Sequence, residues 1–426
     1  MVPPFVTKYL QPRAIQGSWR ITGCTETGFA GAVVIPALAE YENLFDTLQS
    51  LAANPPELLA RFLILVVVNH REDALPDDKE DNYETLKQLA ALDPGLAPLR
   101  LAWVDAASPG MEMPAKIGGV GLARKIGLDL ALTRLDFTAQ CPLLVSLDAD
   151  TLVEPSYLPA LVDHFRHSGC GGAVIPFCHR PGESPEQQMA IDRYELFLRG
   201  YVLGLSLAGS PYAFHTVGSA MACTAQAYIR MGGMNRRPAA EDFYFLQQLH
   251  RTAGVEQLRG TTVHPSARPS HRVPFGTGRS VSRTMAGDAG EIMFYRPECF
   301  RILASWLEML TDCLNSNSSS LLAKPAVVSP HLADYLEITG FPGVWEKLRR
   351  NHGKEEALRS AFHDWFDGLK TMKLIHHLSA LSYPRCEPEE ALPHLLAWAG
   401  VKPADSIARQ LALLRRIQNG EKSSSG

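Results

Sequence analysis

Two continuous apolar runs constrain the fold more than any other feature of this chain. "GAVVIPALAE" (31–40) and "RFLILVVVNH" (61–70) show no hydrophobic alternation, and the second is β-branched towards its end. A strand that is apolar on both sides needs cover on both faces, as in the centre of a parallel sheet flanked by helices. Helix patterns fall between such runs. Leu44, Leu48 and Leu51 follow the first, with Glu40 and Glu42 at the start, where the helix dipole favours acids. "DNYETLKQLAAL" reads as a helix, "LRLAWVDA" as a strand, "VGLARKIGLDLALTRL" as a helix and "CPLLVSLDAD" as a strand. This repeated alternation is the pattern of a doubly wound α/β sheet with right-handed crossovers.

The rest of the chain extends and then leaves that pattern. "YLPALVDHFRH" and "GAVIPF" add a helix and a strand, and "PEQQMAIDRYELFLRGYVLGLSL" reads as a long helix. A short helix stops at Gly232 and Gly233, and "AEDFYFLQQLHRTAG" forms another that is capped by Gly254. From about residue 290 every readable segment is helical. A chain of 426 residues has room for two domains. The expected division is an N-terminal arm over 1–28, an α/β domain over 29–288, a helical C-terminal region over 289–420 and a disordered tail over 421–426.

Composition removes several functional classes. A formal net charge of −4 offers no global basic field for nucleic acid or an anionic membrane. No run approaches the ~18 apolar residues of a membrane-spanning helix. The start, "MVPPFVTKYLQPRAIQGSWR", lacks the apolar core of a signal peptide. Eight scattered cysteines without a CxxC point to reduced thiols and a cytoplasmic setting.

The stretch "LLVSLDADTLVEP" (143–155) ends an apolar strand with Asp148 and Asp150. Residues two apart on a strand share a face, and the carboxyl ends of the strands are where open α/β sheets bind ligands. Two adjacent carboxylates repel unless a cation lies between them. Hard oxygen donors select Mg²⁺ or Mn²⁺, commonly held by one or two carboxylates plus substrate phosphates. The plainer alternative is a strand leading into a solvated acidic loop.

"VVIPALAEYENLFDTLQSL" is similar to the opening of family 2 glycosyltransferases, and "SLDADTLVEP" resembles their metal-binding DxD segment. "GSAMACTAQAYIRMGGMNRRPAAEDFYFLQQLHRTAG" resembles their second half, with a Glu-Asp pair opening a helix. The three blocks fall in the family's order over residues 31–255. The resemblance implies a GT-A fold, Rossmann-like with a mainly parallel sheet. It also implies transfer of a sugar from a nucleotide-diphosphate donor to an acceptor hydroxyl, with Mn²⁺ or Mg²⁺.

Residue roles follow from the same resemblance. Pro36, Ala37 and Glu40 line the base and ribose, with Ala39 where the family has Asn. Asn69 stands near the family's base-binding aspartate, and its amide can donate and accept; Asp73 is a second candidate. Arg124 faces the diphosphate or base. Asp148 and Asp150 hold the metal and the ribose. Glu241 and Asp242 form the catalytic pair, Asp242 being the general base of inverting members. His264, or after it His271, completes the metal shell. From their own chemistry, Arg268, Arg272 and Arg279 are candidates to clamp diphosphate or an anionic acceptor, a surface loop being the plainer alternative. A solvated helix charge is the alternative for Arg124, and N-terminal helix chemistry the alternative for Glu241 and Asp242.

Other readings stay open. Some bacterial GT-A enzymes that act on small acids retain configuration and lack a dedicated base. A haloacid dehalogenase-like phosphatase has a similar aspartate motif, but Thr151 comes one residue early and three strands precede "VSLDADTL". A nucleotidyltransferase wants a Gly-rich basic loop after the first strand, and a non-catalytic scaffold needs neither acid pair. The acceptor is unreadable. The helical region is open to covering the acceptor cleft, pairing subunits into a homo-oligomer, or resting on a membrane surface.

Overall fold

The computed structural model describes residues 2–14, 17–91, 93–138, 141–269, 276–286, 292–315, 321 and 324–420. His271, Arg272 and the tail from 421 lie outside the described residues. The chain forms two compact units, Met1–Glu183 with Thr216–Arg279, and Ser184–His215 with Ser280–Gly426.

The first unit is built on a mixed sheet in the order β1-β4-β3-β2-β5-β8-β7-β9. Its strands are β1 (Ile21–Gly23), β2 (Gly31–Ala37), β3 (Phe62–Asn69), β4 (Arg100–Ala106) and β5 (Leu143–Ser146), then β7 (Gly172–Val174), β8 (Met221–Thr224) and β9 (Val255–Gln257). A separate pair joins β6 (Thr151–Val153) to β10 (Val263–Pro265). The centre, β4-β3-β2-β5, is parallel. Every residue of β2 and β3 is buried, as their unalternating sequences require. Strand β8 runs antiparallel to both β5 and β7, so parallel pairing does not extend across the whole sheet.

The topology creates the crevice. From β2 the chain builds outward through β3 and β4, then returns to place β5 on the other side of β2. The β2–β5 ladder ends at Val34↔Ser146, although Leu147 N–H still donates to Val34 O at 3.1 Å. The two strands part there, and Pro36, which has no N–H to pair, lies just beyond. Helix Val120–Ala131 covers β2 and β3. A Cβ at Gly127 would collide with Val34, so glycine permits that close packing.

Residues 1–28 are more than an arm. Helix Pro4–Arg13 buries Val6 and Tyr9, and β1 adds an antiparallel edge strand to β4. Tyr9 Oη and Tyr228 Oη both donate to Asp129 Oδ1 at 2.8 Å, and Lys125 Nζ pairs with Asp129 Oδ2 at 2.8 Å. These partners sit so far apart in sequence that neither periodicity nor composition connects them.

The second unit is helical, with a core of Trp306, Phe341, Trp345, Phe362 and Phe366. Helix Pro185–Leu207 belongs to this unit, which corrects the expected boundary near 289. Its buried Glu195 accepts from Arg199 Nε at 2.7 Å and from Arg415 Nε and Nη2 at 2.7 and 2.8 Å. The helix is apolar around much of its circumference, so it needs helical neighbours rather than one sheet face. All eight cysteines are free thiols.

Candidate active site

The site lies at the carboxyl ends of β2 and β5, where they diverge. Two turns bring acids to it by the same device. Ala39 and Ala240 have φ of 52° and 56°, and no other non-glycine residue among those described has positive φ. L-residues avoid this left-handed region, and such outliers gather at functional sites. Ala39 precedes Glu40, which leads into helix Tyr41–Ala52; Ala240 precedes Glu241, which opens helix Glu241–Ala253. Each left-handed alanine turns the chain so that an acid stands at a helix start. The Ala39 turn is held by Asn82, whose Oδ1 accepts from Ala39 N–H at 3.0 Å. Asn82 Nδ2 donates to Asn69 O at 3.0 Å. Fully buried, Asn82 therefore ties the loop after β2 to the end of β3.

The Asp148–Asp150 segment is a turn rather than the end of a strand. β5 stops at Ser146, and Thr151 N–H donates back to Asp148 O at 3.2 Å. Thr47 Oγ1 donates to Ala149 O at 2.8 Å, fixing the residue between the aspartates from helix Tyr41–Ala52. The expected sharing of one face by alternation gives way to separate partners. Asp148 pairs with Arg124, and Asp150 pairs with Arg268 at 3.3 Å.

Two arginine bridges result. Arg124 rises from helix Val120–Ala131 and uses every side of its fork: Nε donates to Ser146 Oγ at 2.9 Å, Nη1 meets Glu241 and Nη2 meets Asp148. A Cβ at Gly218 would collide with this guanidinium, and one at Gly121 with Arg237 O beside Glu241. The second bridge runs from the segment after β10. Arg268 Nη2 meets both carboxylate oxygens of Glu40, while Nε reaches Asp150.

Among the described residues here, the acids outnumber the arginines. Glu40, Asp148, Asp150 and Glu241 contact Arg124 or Arg268, and Asp242 feels the Arg124 charge. Burial pushes Glu241 up to about 7, with Arg124 pulling the other way. Removal from water also raises Asp242, again opposed by Arg124. An acid raised towards neutrality suits proton transfer at ordinary pH.

Several expected residues are placed elsewhere. Asn69 is buried, with its amide group donating to Ala37 O at 3.0 Å and Val67 O at 2.9 Å, so that nitrogen ties two strand ends together. Asp73 pairs with Arg71 at 2.9 Å. His264 lies opposite Leu152 in the small β-pair; its Nε2 faces Glu154 Oε1 at 3.4 Å and its Nδ1 faces Cys178 O at 3.2 Å. The polar contacts of His264 are thus with Glu154 and Cys178. Among the described residues, no group of three His, Cys, Asp or Glu side chains is set to hold an ion. Asn82 and Thr47 were missed, because a polar residue inside a helix pattern looks like a solvated one until its burial is seen.

No protein-family model matches the chain, and no curated protein matches it. Among solved structures, the chain is similar to S. aureus TarS 1-349 in complex with UDP-GlcNAc at 14% identity and a TM-score of 0.39, covering 92% of each chain. S. aureus TarS 1-349 in complex with UDP matches at 15% identity and a TM-score of 0.37, over 79% of this chain and 88% of that one.

Proposed function

We propose that this protein is a GT-A-type glycosyltransferase that moves a sugar from a nucleotide-diphosphate donor to an acceptor hydroxyl, with inversion at the anomeric carbon. The observation that carries the reading is the meeting of Glu40, Asp148, Asp150, Arg124, Glu241 and Asp242 at the point where β2 and β5 part. Sheets of this kind bind nucleotides at that crevice.

Divalent metal fits the chemistry of this donor set. Among the described residues of the cluster the carboxylates exceed the guanidinium groups, and a divalent ion would add positive charge for a diphosphate. Asp148 and Asp150 would hold Mg²⁺ or Mn²⁺ with donor phosphates and water supplying the other positions. Bound there, the ion would neutralise charge on the departing nucleoside diphosphate. Asp242 is the general base. The acceptor oxygen forms a bond to the anomeric carbon as the bond to the diphosphate oxygen breaks, and the acceptor proton passes to Asp242. Glu241 and Arg124 fix the first turn that presents Asp242. The haloacid dehalogenase-like alternative is less well supported, since its aspartates open the sheet and here they follow the fifth strand.

Isothermal calorimetry with UDP, GDP and other nucleoside diphosphates, each with and without Mn²⁺, tests the donor. Saturating binding to the wild type with metal present is expected. Asp242→Asn should retain donor binding and lose ~10²–10⁴ in transfer rate, the usual worth of a general base. Near-normal turnover in that variant would remove the base assignment.

A further inference from the structure

The two bridges differ in how readily their arginines can leave. Arg124 has a side chain only 3% exposed, is bound on all sides of its fork, and is enclosed by the backbone at Gly218. Arg268 is 26% exposed and reaches in from the segment that follows β10. Its partners, Glu40 and Asp150, come from the ends of the two strands that diverge at the crevice.

A guanidinium is one positive charge spread over a plane, whereas a divalent ion is two charges at a point. Arg268 brings one positive charge to the Asp150 carboxylate, and a divalent ion held by Asp148 and Asp150 would bring two. The ion and Arg268 therefore compete for the Asp150 carboxylate. Once displaced, the planar fork of Arg268 matches phosphate oxygens in a bidentate manner.

We propose that Arg268 is an exchangeable counter-ion. It holds Glu40 and Asp150 together before the ion arrives, gives up Asp150 to the ion, and passes to the diphosphate of the donor. Arg268 is a donor-binding residue in this scheme, and the inference rests on the glycosyltransferase reading above. Metal alone binds weakly because it must displace a cation, and donor alone binds weakly because Arg268 is engaged with acids. Each ligand then strengthens the other by the same factor, as linkage requires.

The test uses the full chain and measures Mn²⁺ binding by the loss of the free-ion paramagnetic resonance signal, with no nucleotide present. Arg268→Gln should bind Mn²⁺ about tenfold more tightly than wild type, because a neighbouring positive charge is gone. The same variant should bind UDP or GDP, whichever the wild type accepts with saturating Mn²⁺, about tenfold more weakly. Arg268→Lys keeps the charge and loses the fork, so its Mn²⁺ affinity should stay near wild type while nucleotide affinity falls. If a well-folded Arg268→Gln binds Mn²⁺ no more tightly than wild type, the exchange is wrong while the wild type's own binding keeps the glycosyltransferase reading intact. A wild type that binds neither Mn²⁺ nor any nucleoside diphosphate overturns both.

Discussion

Arg124 and Arg268 each join an acid at a helix start to one aspartate of the Asp148–Asp150 turn, yet the side chain of Arg124 is 3% exposed and that of Arg268 is 26% exposed. Wiring alone would give them equal importance. Solvent access to the arginines separates them: Arg124 and Glu241 are shut away from water, where hydration cannot replace a lost partner, although Asp148 is itself partly exposed. The buried bridge belongs to the frame of the site, and the more open one is available to ligands.

The sharpest way to break this comparison is to delete each cation in turn. Arg124→Gln strands Asp148 and Glu241 and should lose about 3–5 kcal/mol of stability, the range for removing one partner of a buried pair. Arg268→Gln should lose less, about 1 kcal/mol, since Arg268 and Asp150 are partly open to water and only Glu40 is left buried. Urea unfolding of the two variants measures the difference. Equal losses would show that exposure does not distinguish the bridges.

Protons provide a second, smaller probe. Glu241 titrates near 7 in the folded protein, above an unfolded carboxyl, so the folded state binds the extra proton. Stability from this group is complete below the unfolded value and is lost as pH rises through about 7. From pH 5 to pH 8 the wild type should lose on the order of 1–3 kcal/mol more than Glu241→Gln, which has no carboxyl to ionise. Parallel pH curves for the two proteins would mean that Arg124 keeps Glu241 ionised throughout.

The smallest effects concern the two left-handed alanines. Ala39→Gly and Ala240→Gly remove a Cβ that costs ~1–2 kcal/mol in this backbone region, offset by roughly 0.5–1 kcal/mol of glycine entropy. Each should gain a few tenths to about 1 kcal/mol in thermal or urea unfolding. A loss at either position would show that the alanine methyl packs usefully.

Much of the parallel centre was legible because its signals are local. The residues of β2 and β3 are apolar without alternation, and those of helix Val120–Ala131 repeat at helical spacing. The Asp148–Asp150 and Glu241–Asp242 pairs could be read as candidates for the same kind of reason. The second bridge could not. Arg268 lies 228 residues from Glu40 and 118 from Asp150, in a loop that held other arginines of equal promise. The same limit hid the attachment of helix Pro185–Leu207 to the helical unit, since an apolar helix pattern does not say which neighbours cover it.

By itself, the order of apolar runs and helix patterns determined that this chain builds a covered, centrally parallel sheet with acids where its strands end. That follows from backbone pairing and the burial of side chains, which act residue by residue. Only the tertiary structure decided which arginine meets which acid, that Asn69 and His264 turn to other partners, and that Arg124 is closed off while Arg268 is partly open to water. Those outcomes depend on distances between segments far apart in the chain and on the local loss of solvent, and neither quantity exists until the chain has folded.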